Sequence, residues 1–232
     1  MTMTTTGPST AETIPGYSLR PVPSGSMSDP APYPQGRWLG VGQPVFAAAP
    51  RALPAGFEDA RRVLDAGQAI LEQGEMLLSV LSSHDYTRRV PCVFNACIGG
   101  HYRHVLDHFT SLLRGHANGT VDYDHRQRDV QIERDPVVAL SRTRETRACL
   151  GALDPALLAH PVRALCEVSY AHGDAPESGS TLARELVYCI AHAIHHYALI
   201  AVMARLLEVP LPDHFGVAPS TVAHQQSQTP AH

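Results

Sequence analysis

The sequence predicts an all-α fold: a four-helix bundle with one short strand or extended segment before the last helix and a disordered N-terminal tail. In four separate segments, apolar residues recur at spacings of three and four, the helical period. The connections between these segments are moderate in length, except for a long third one, as in bundles with a crossover. The chain has 232 residues, 44% of them hydrophobic, which is enough for one buried core.

The two ends of the chain lack helical periodicity. Prolines recur through residues 1–54, so we expect a disordered or extended N-terminal tail there. The bundle is expected over residues 55–222, and residues 223–232 are expected to form a frayed C-terminal tail. The N-terminal region has neither the basic start nor the apolar stretch of a secretory signal. An uninterrupted run of about 18 apolar residues is missing, so no membrane span is expected.

Helix signals bound each of the four periodic segments. Gly115 and the Asn118–Gly119 pair end the second helix, and Pro136 stands in the first turn of the third, where helices tolerate proline. Ser180 or Thr181 caps the fourth helix. The predicted helices cover residues 56–81, 95–115, 135–150 and about 181–208.

Between the third and fourth helices the pattern changes. Apolar residues alternate over residues 162–170, which predicts a short strand. Residues 173–179 contain the glycines and polar residues of a loop.

Charge and cysteine content exclude several classes of protein. The formal net charge is −4, so there is no basic excess of the kind that binds nucleic acid or anionic membranes. The five cysteines are odd in number and form no CxxC pair. We therefore expect no disulfide framework or zinc finger, and we expect a reducing compartment, the cytoplasm.

Two histidine clusters are the most informative feature of the chain. His192 and His196 lie four residues apart in the fourth helix, so their side chains project from one face. That face is otherwise apolar, and a buried imidazole without a partner costs about 1–3 kcal/mol. His101, His104 and His108 share a face of the second helix, and any one of them could supply a third ligand. Three protein ligands with an open position are typical of catalytic metal sites.

Other polar residues near these clusters have two interpretations each. His195 is expected to lie beside the site or in the core. Asp107 could accept the free N–H of a metal-bound histidine or pair with Arg103. Glu185 could support the site or act as a general base, or it could only stabilise the start of its helix. Cys189 is expected to be a buried structural residue.

A polar loop follows the second helix. Its arginines could clamp the carboxylate of a substrate or a thiol cofactor through paired hydrogen bonds. Alternatively, the loop could be a salt-bridged connection between helices. The loop residues that could contact an anion or substrate are Tyr123, Asp124, Arg126 and Arg128.

Several segments resemble the DinB/YfiT-like superfamily of metal-binding four-helix bundles. They are Ile98–Phe109, Val121–Asp129, Arg184–Tyr197 and Phe215–Thr221. The resemblance covers residues 56–222. It implies a divalent ion such as zinc, nickel or iron, held by one histidine of the second helix and the pair on the last. The glycine four residues before His104 and the valine after it imply the ligand set His104, His192 and His196, with His101 as the alternative.

The resemblance also implies an activity. Relatives include thiol-dependent transferases and isomerases, so it implies a metal-dependent enzyme that uses a low-molecular-weight thiol and acts on a small molecule. Sulfoxide synthesis is not expected, because Tyr197 and Ala198 replace an acidic residue of the synthases.

Two alternatives to an enzyme stay open. One is a non-catalytic, metal-stabilised bundle that serves as a binding or stress-response module. The other is a metal-free helical protein with a ligand pocket. The expected partner is a small-molecule substrate, with neither nucleic acid nor membrane, and a homodimer is left open.

Overall fold

The computed structural model of the protein describes residues 57–170 and 175–228, so the predicted N-terminal tail, residues 1–54, lies outside the described residues. The described part is mostly helical and contains one small sheet. Its helices are α1 (Phe57–Val80), α2 (Ser83–Thr87), α3 (Ile98–Asn118), α4 (Val130–Arg134), α5 (Pro136–Gly151), α6 (Leu182–Leu206) and α7 (Pro219–Gln228), with a 3-10 turn at Pro155–Ala159. Its strands are β1 (Thr120–Asp122), β2 (Pro161–Leu165) and β3 (Glu177–Thr181).

The long helices α1, α3, α5 and α6 correspond to the four predicted ones. Pro136 occupies the first turn of α5, and the Asp135 side chain caps that helix by accepting from the backbone N–H of Val137. Thr181 caps α6. Helix α3 continues past the predicted end at Gly115 and stops at Gly119, whose left-handed backbone (φ 71°) closes it.

The four long helices enclose one hydrophobic core. Helix α1 packs against α5 and α6, and α3 packs against the same two helices. Their inward positions follow the helical period that the sequence predicts. The largest fully buried apolar and aromatic side chains include Leu64, Leu71, Tyr102, Phe109, Leu112 and Tyr197. This packing places the histidine-bearing faces of α3 and α6 against each other.

A three-stranded sheet replaces the single predicted strand. The strand order is β1-β2-β3, with β1 parallel and β3 antiparallel to the central β2. Part of β3 lies in the predicted loop over residues 173–179. Its sequence lacks apolar alternation because it is an edge strand with mostly exposed side chains, and its backbone pairing with β2 forms it. The predicted strand over residues 162–170 ends early, at Leu165, and the side chains of Val168 and Tyr170 are exposed.

The C-terminal region differs from the prediction of a frayed tail over residues 223–232. Helix α7 extends to Gln228, and residues 229–232 lie outside the described part of the chain. No side chain of α7 is buried, so the segment lacks the apolar face by which a helix is normally recognised in a sequence.

Helix α6 is, within the described residues, the one helix long and apolar enough to cross a membrane by length and composition alone. The sequence prediction of no membrane span required an uninterrupted run of apolar residues, which the histidines of this helix break. The mean hydropathy of the helix is high in spite of these histidines. A core helix of a soluble protein passes the same test. Helix α6 packs on α1 and α3 and carries the His192–His196 pair on that packed side.

Candidate metal centre

Three histidines from two helices converge between α3 and α6. His104 comes from α3, and His192 and His196 come from consecutive turns of α6. One potential ligand atom from each lies within 4.8 Å of the other two, a group that could hold a metal ion. Nε2 of His104 is 3.0 Å from Nε2 of His192. Two nitrogens bound to one tetrahedral zinc ion at its usual bond length lie about 3.4 Å apart, so this pair is already close to a ligating geometry.

The protonation state of the cluster suits a cation. Burial, together with nearby groups that can carry positive charge, lowers the pKa of His192 to about 4 and that of His196 to about 3. The pKa of His104 is also far below its usual range, for the same reasons. All three imidazoles are therefore neutral at pH 7, and neutral imidazole is the form that binds metals.

His101, the alternative ligand on the second helix, contacts another histidine instead. Its Nδ1 lies 2.9 Å from Nδ1 of His196. One of these two nitrogens must carry the proton. When His196 is the donor, its Nε2 has a free lone pair, and His101 holds the His196 ring in place, as the outer partners of metal-bound histidines do. His101 then carries its own proton on Nε2, which is buried without a hydrogen-bond partner among the described residues.

His108 and His195 lie beside the three converging histidines. His108 is buried, its Nδ1 donates to the backbone carbonyl of His104 at 2.9 Å, and its ring stacks on His192 with centroids 4.0 Å apart. The ring of His195 meets His196 edge-on, and its side chain is exposed. His108 thus forms one wall of the site, while His195 lies beside the site, one of the two locations expected for it.

The two interpretations of Asp107 are resolved by its partner. Its Oδ2 accepts a hydrogen bond from Nη1 of Arg103 at 2.6 Å. Arg103 also reaches Glu133 on α4. No imidazole donates to Asp107 in residues 57–170 and 175–228. Asp107 therefore pairs with Arg103 within α3, and the second ion pair of Arg103, with Glu133, joins α3 to α4.

Glu185 supports the site through a buried tyrosine. Its Oε2 accepts from Tyr123 Oη at 2.9 Å and its Oε1 accepts from Ser180 Oγ at 2.5 Å. The Tyr123 ring stacks on His108 with centroids 5.1 Å apart. Glu185 therefore fixes the ring behind the histidine wall and touches none of the three converging imidazoles. The sequence offered Ser180 as one of two alternative helix caps; Thr181 is the cap, which leaves Ser180 free to bind Glu185.

The remaining loop residues have different surroundings. The Asp124 carboxylate accepts from the backbone N–H of Glu167 at 2.8 Å, which fastens the loop to the chain after β2. Arg128 is exposed. Arg126 is half-buried, and its Nη1 lies 3.4 Å from Nε2 of His108. Tyr123 and Arg126 thus face the histidines, whereas Asp124 and Arg128 do not contact them.

Neither cysteine near the site is a thiolate at neutral pH. Burial raises the pKa of Cys189 to about 12. Burial also raises the pKa of Cys166, which lies near Tyr188. A thiol must lose its proton to act as a nucleophile or a metal ligand, so the chain itself supplies no reactive sulfur here. Cys189 is buried, as the sequence predicts.

Replacing Glu185 by alanine is expected to destabilise the fold by about 2–3 kcal/mol, because the buried hydroxyl of Tyr123 and the partly buried hydroxyl of Ser180 lose their acceptor. Urea unfolding at 25 °C measures the loss. Glu145→Ala is the control, since its ion pair with Arg142 is exposed and its loss should cost less than about 1 kcal/mol. Equal costs for the two variants would show that the Glu185 network does not stabilise the fold.

Comparisons with known proteins give one partial match to a curated protein. The chain is 32% identical over 114 residues to FK506-binding protein 5 of Rhizopus delemar, a stretch that covers 47% of this chain and 28% of that protein. No family model matches the chain, and no solved structure does. The chain spans less than a third of that curated relative's length, so the relative's activity is not carried over to it.

Proposed function

We propose that the protein is a divalent-metal-binding helical bundle of the DinB/YfiT type, with His104, His192 and His196 as ligands of zinc, nickel or iron. One observation carries the proposal: a ligand atom of His104 on α3 and ligand atoms of His192 and His196 on α6, at least 88 residues later in the chain, lie within 4.8 Å of one another. The lowered pKa values of these imidazoles and the rings of His101 and His108 around them support it.

We extend the proposal to an activity: a cytoplasmic, metal- and thiol-dependent transferase or isomerase that acts on a small molecule. Three protein ligands leave coordination positions for a water, a thiol or a substrate. A metal bound there would lower the pKa of such a ligand and so generate a nucleophile at neutral pH. Because Cys166 and Cys189 stay protonated, the thiol in this scheme comes from a small molecule.

Elemental analysis of the purified protein, saturated with zinc and desalted, tests the proposal. We expect about one ion per chain in the wild type and almost none in His104→Ala, His192→Ala or His196→Ala, since two histidines alone rarely retain zinc. His195→Ala is the control and should keep the ion, whereas His101→Ala should weaken zinc binding by about 10–100-fold, because it removes the partner that holds the His196 ring. Absence of metal from the wild type, or equal losses in the control and ligand variants, would contradict the ligand set.

X-ray absorption of the zinc-loaded protein separates the enzyme from a structural metal site. Three imidazole nitrogens plus an oxygen that an added thiol replaces with sulfur would support catalysis. A fourth protein ligand, unaffected by thiols, would instead favour the non-catalytic binding or stress-response module.

A further inference from the structure

Arg126 lacks an acidic partner of the kind that two nearby arginines, Arg103 and Arg142, have. Arg103 pairs with Asp107, and Arg142 pairs with Glu145. Arg126 forms no ion pair with a carboxylate in the described ranges 57–170 and 175–228, and its Nε is buried without a hydrogen-bond partner there. Its Nη1 contact with His108 is long, at 3.4 Å. The half-buried guanidinium of Arg126 therefore has no hydrogen-bonded carboxylate within those ranges: its charge acts on the nearby Asp107 carboxyl, but that carboxyl is hydrogen-bonded to Arg103.

Such an arrangement is energetically costly unless an anion is bound. Removing a guanidinium from water costs several kcal/mol, and proteins usually compensate with a hydrogen-bonded carboxylate. The free Nε–H is one arm of the planar N–H fork that binds carboxylates through two parallel hydrogen bonds. The unpaired edge of Arg126 is therefore suited to a carboxylate from outside the chain.

A cavity of about 350 Å³ lies against Arg126, between α3, α5 and the loop after β1. Its volume is in the range of small-molecule sites. The hydroxyls of Thr110, Ser111 and Thr146 line it and can donate hydrogen bonds. Three acidic residues, Asp107, Asp129 and Glu145, and three arginines, Arg114, Arg126 and Arg142, also line it. Because these charges balance, the cavity has no basic excess that would hold a multiply charged anion such as phosphate, and a singly charged anion suits it better.

We propose that this cavity is a binding site for a small monocarboxylate, with Arg126 as the residue that recognises the carboxylate. The proposal goes beyond metal binding and needs no metal, because Arg126 contacts only the outer wall of the histidine cluster, at His108. Arg126 lines the cavity and also contacts His108, whose ring stacks on His192. No described histidine lines the cavity itself, so the site is chemically distinct from the proposed metal centre.

Acetate binding to metal-free, chelator-treated protein tests the proposal. Saturation-transfer NMR of the acetate methyl group gives the affinity, at constant ionic strength maintained with sodium chloride. We expect binding to the wild type and at least a tenfold weaker Kd for Arg126→Gln. Arg126→Lys should be intermediate, because an ammonium lacks the paired N–H groups. Arg128→Gln, in which an exposed arginine two residues away is changed, should bind like the wild type.

The variants also separate recognition from a structural role. Without acetate, Arg126→Gln should unfold at the same urea concentration as the wild type or a higher one, because no ion pair is lost. Equal acetate affinity in Arg126→Gln and the wild type, no acetate binding at all, or tighter binding of phosphate than of acetate would each overturn the proposal. So would marked destabilisation of Arg126→Gln in the absence of acetate. Since the protein is metal-free, these outcomes do not depend on whether the histidines bind zinc.

Discussion

Zinc is expected to stabilise the metal-free protein by about 4 kcal/mol when its free concentration is a thousand times the Kd. The ligand nitrogens lie on α3 and α6, in segments 88 or more residues apart, and they converge only when these helices pack. An ion that binds this arrangement but not the unfolded chain must shift the equilibrium towards the folded state. Urea unfolding with buffered zinc, compared with unfolding in chelator, measures the difference.

His192→Ala should abolish this zinc-dependent gain, whatever it does to the metal-free protein. The comparison uses the difference between the zinc and chelator curves of each variant, since removal of a half-buried ring also alters packing. His195→Ala is the matched control, because it removes an exposed imidazole from the same helix that is not one of the three converging histidines. A gain that persists in His192→Ala would show that zinc binds elsewhere.

Helical geometry explains why two of the three converging histidines could be predicted from the sequence. A spacing of four residues places His192 and His196 side by side on any straight helix, so these two positions needed no tertiary information. The choice between His101 and His104 did need tertiary information, because both lie on one face of α3. The axial position of α3 relative to α6 decides which of the two rings meets which histidine of α6. The packing sets that register, and it places His104 against His192 and His101 against His196.

The parts of the fold that the sequence did not predict lack a periodic signal. Strand β1 has three residues, too few to show alternation, and β3 is a polar edge strand. Both are held by backbone hydrogen bonds to β2 rather than by an apolar face. The sequence also could not show that Arg126 is unpaired. An arginine with several acidic residues near it in sequence is expected to form a salt bridge, and only the side-chain positions show that it does not.

A comparison of two glycines tests how the segment after α6 is fastened to the helix. Gly216 and Gly119 both have φ of 71°, in the left-handed region. A methyl group on Gly119 would meet open space, whereas one on Gly216 would lie 2.6 Å from backbone atoms of Tyr197 and Ala198. Phe215 also stacks on the Tyr197 ring, with centroids 4.6 Å apart. The segment thus contacts α6 directly beside His196.

Gly119→Ala is expected to cost about 1–2 kcal/mol, the strain of a left-handed L-residue. Gly216→Ala should cost about 3 kcal/mol or more, because the same strain is joined by a clash with helix backbone that cannot rotate away. Urea unfolding of both variants in chelator measures the two losses of stability. Because the two glycines share a backbone conformation, the additional loss in Gly216→Ala measures the contact with α6. Equal costs would mean that residues 215–217 do not pack on the helix.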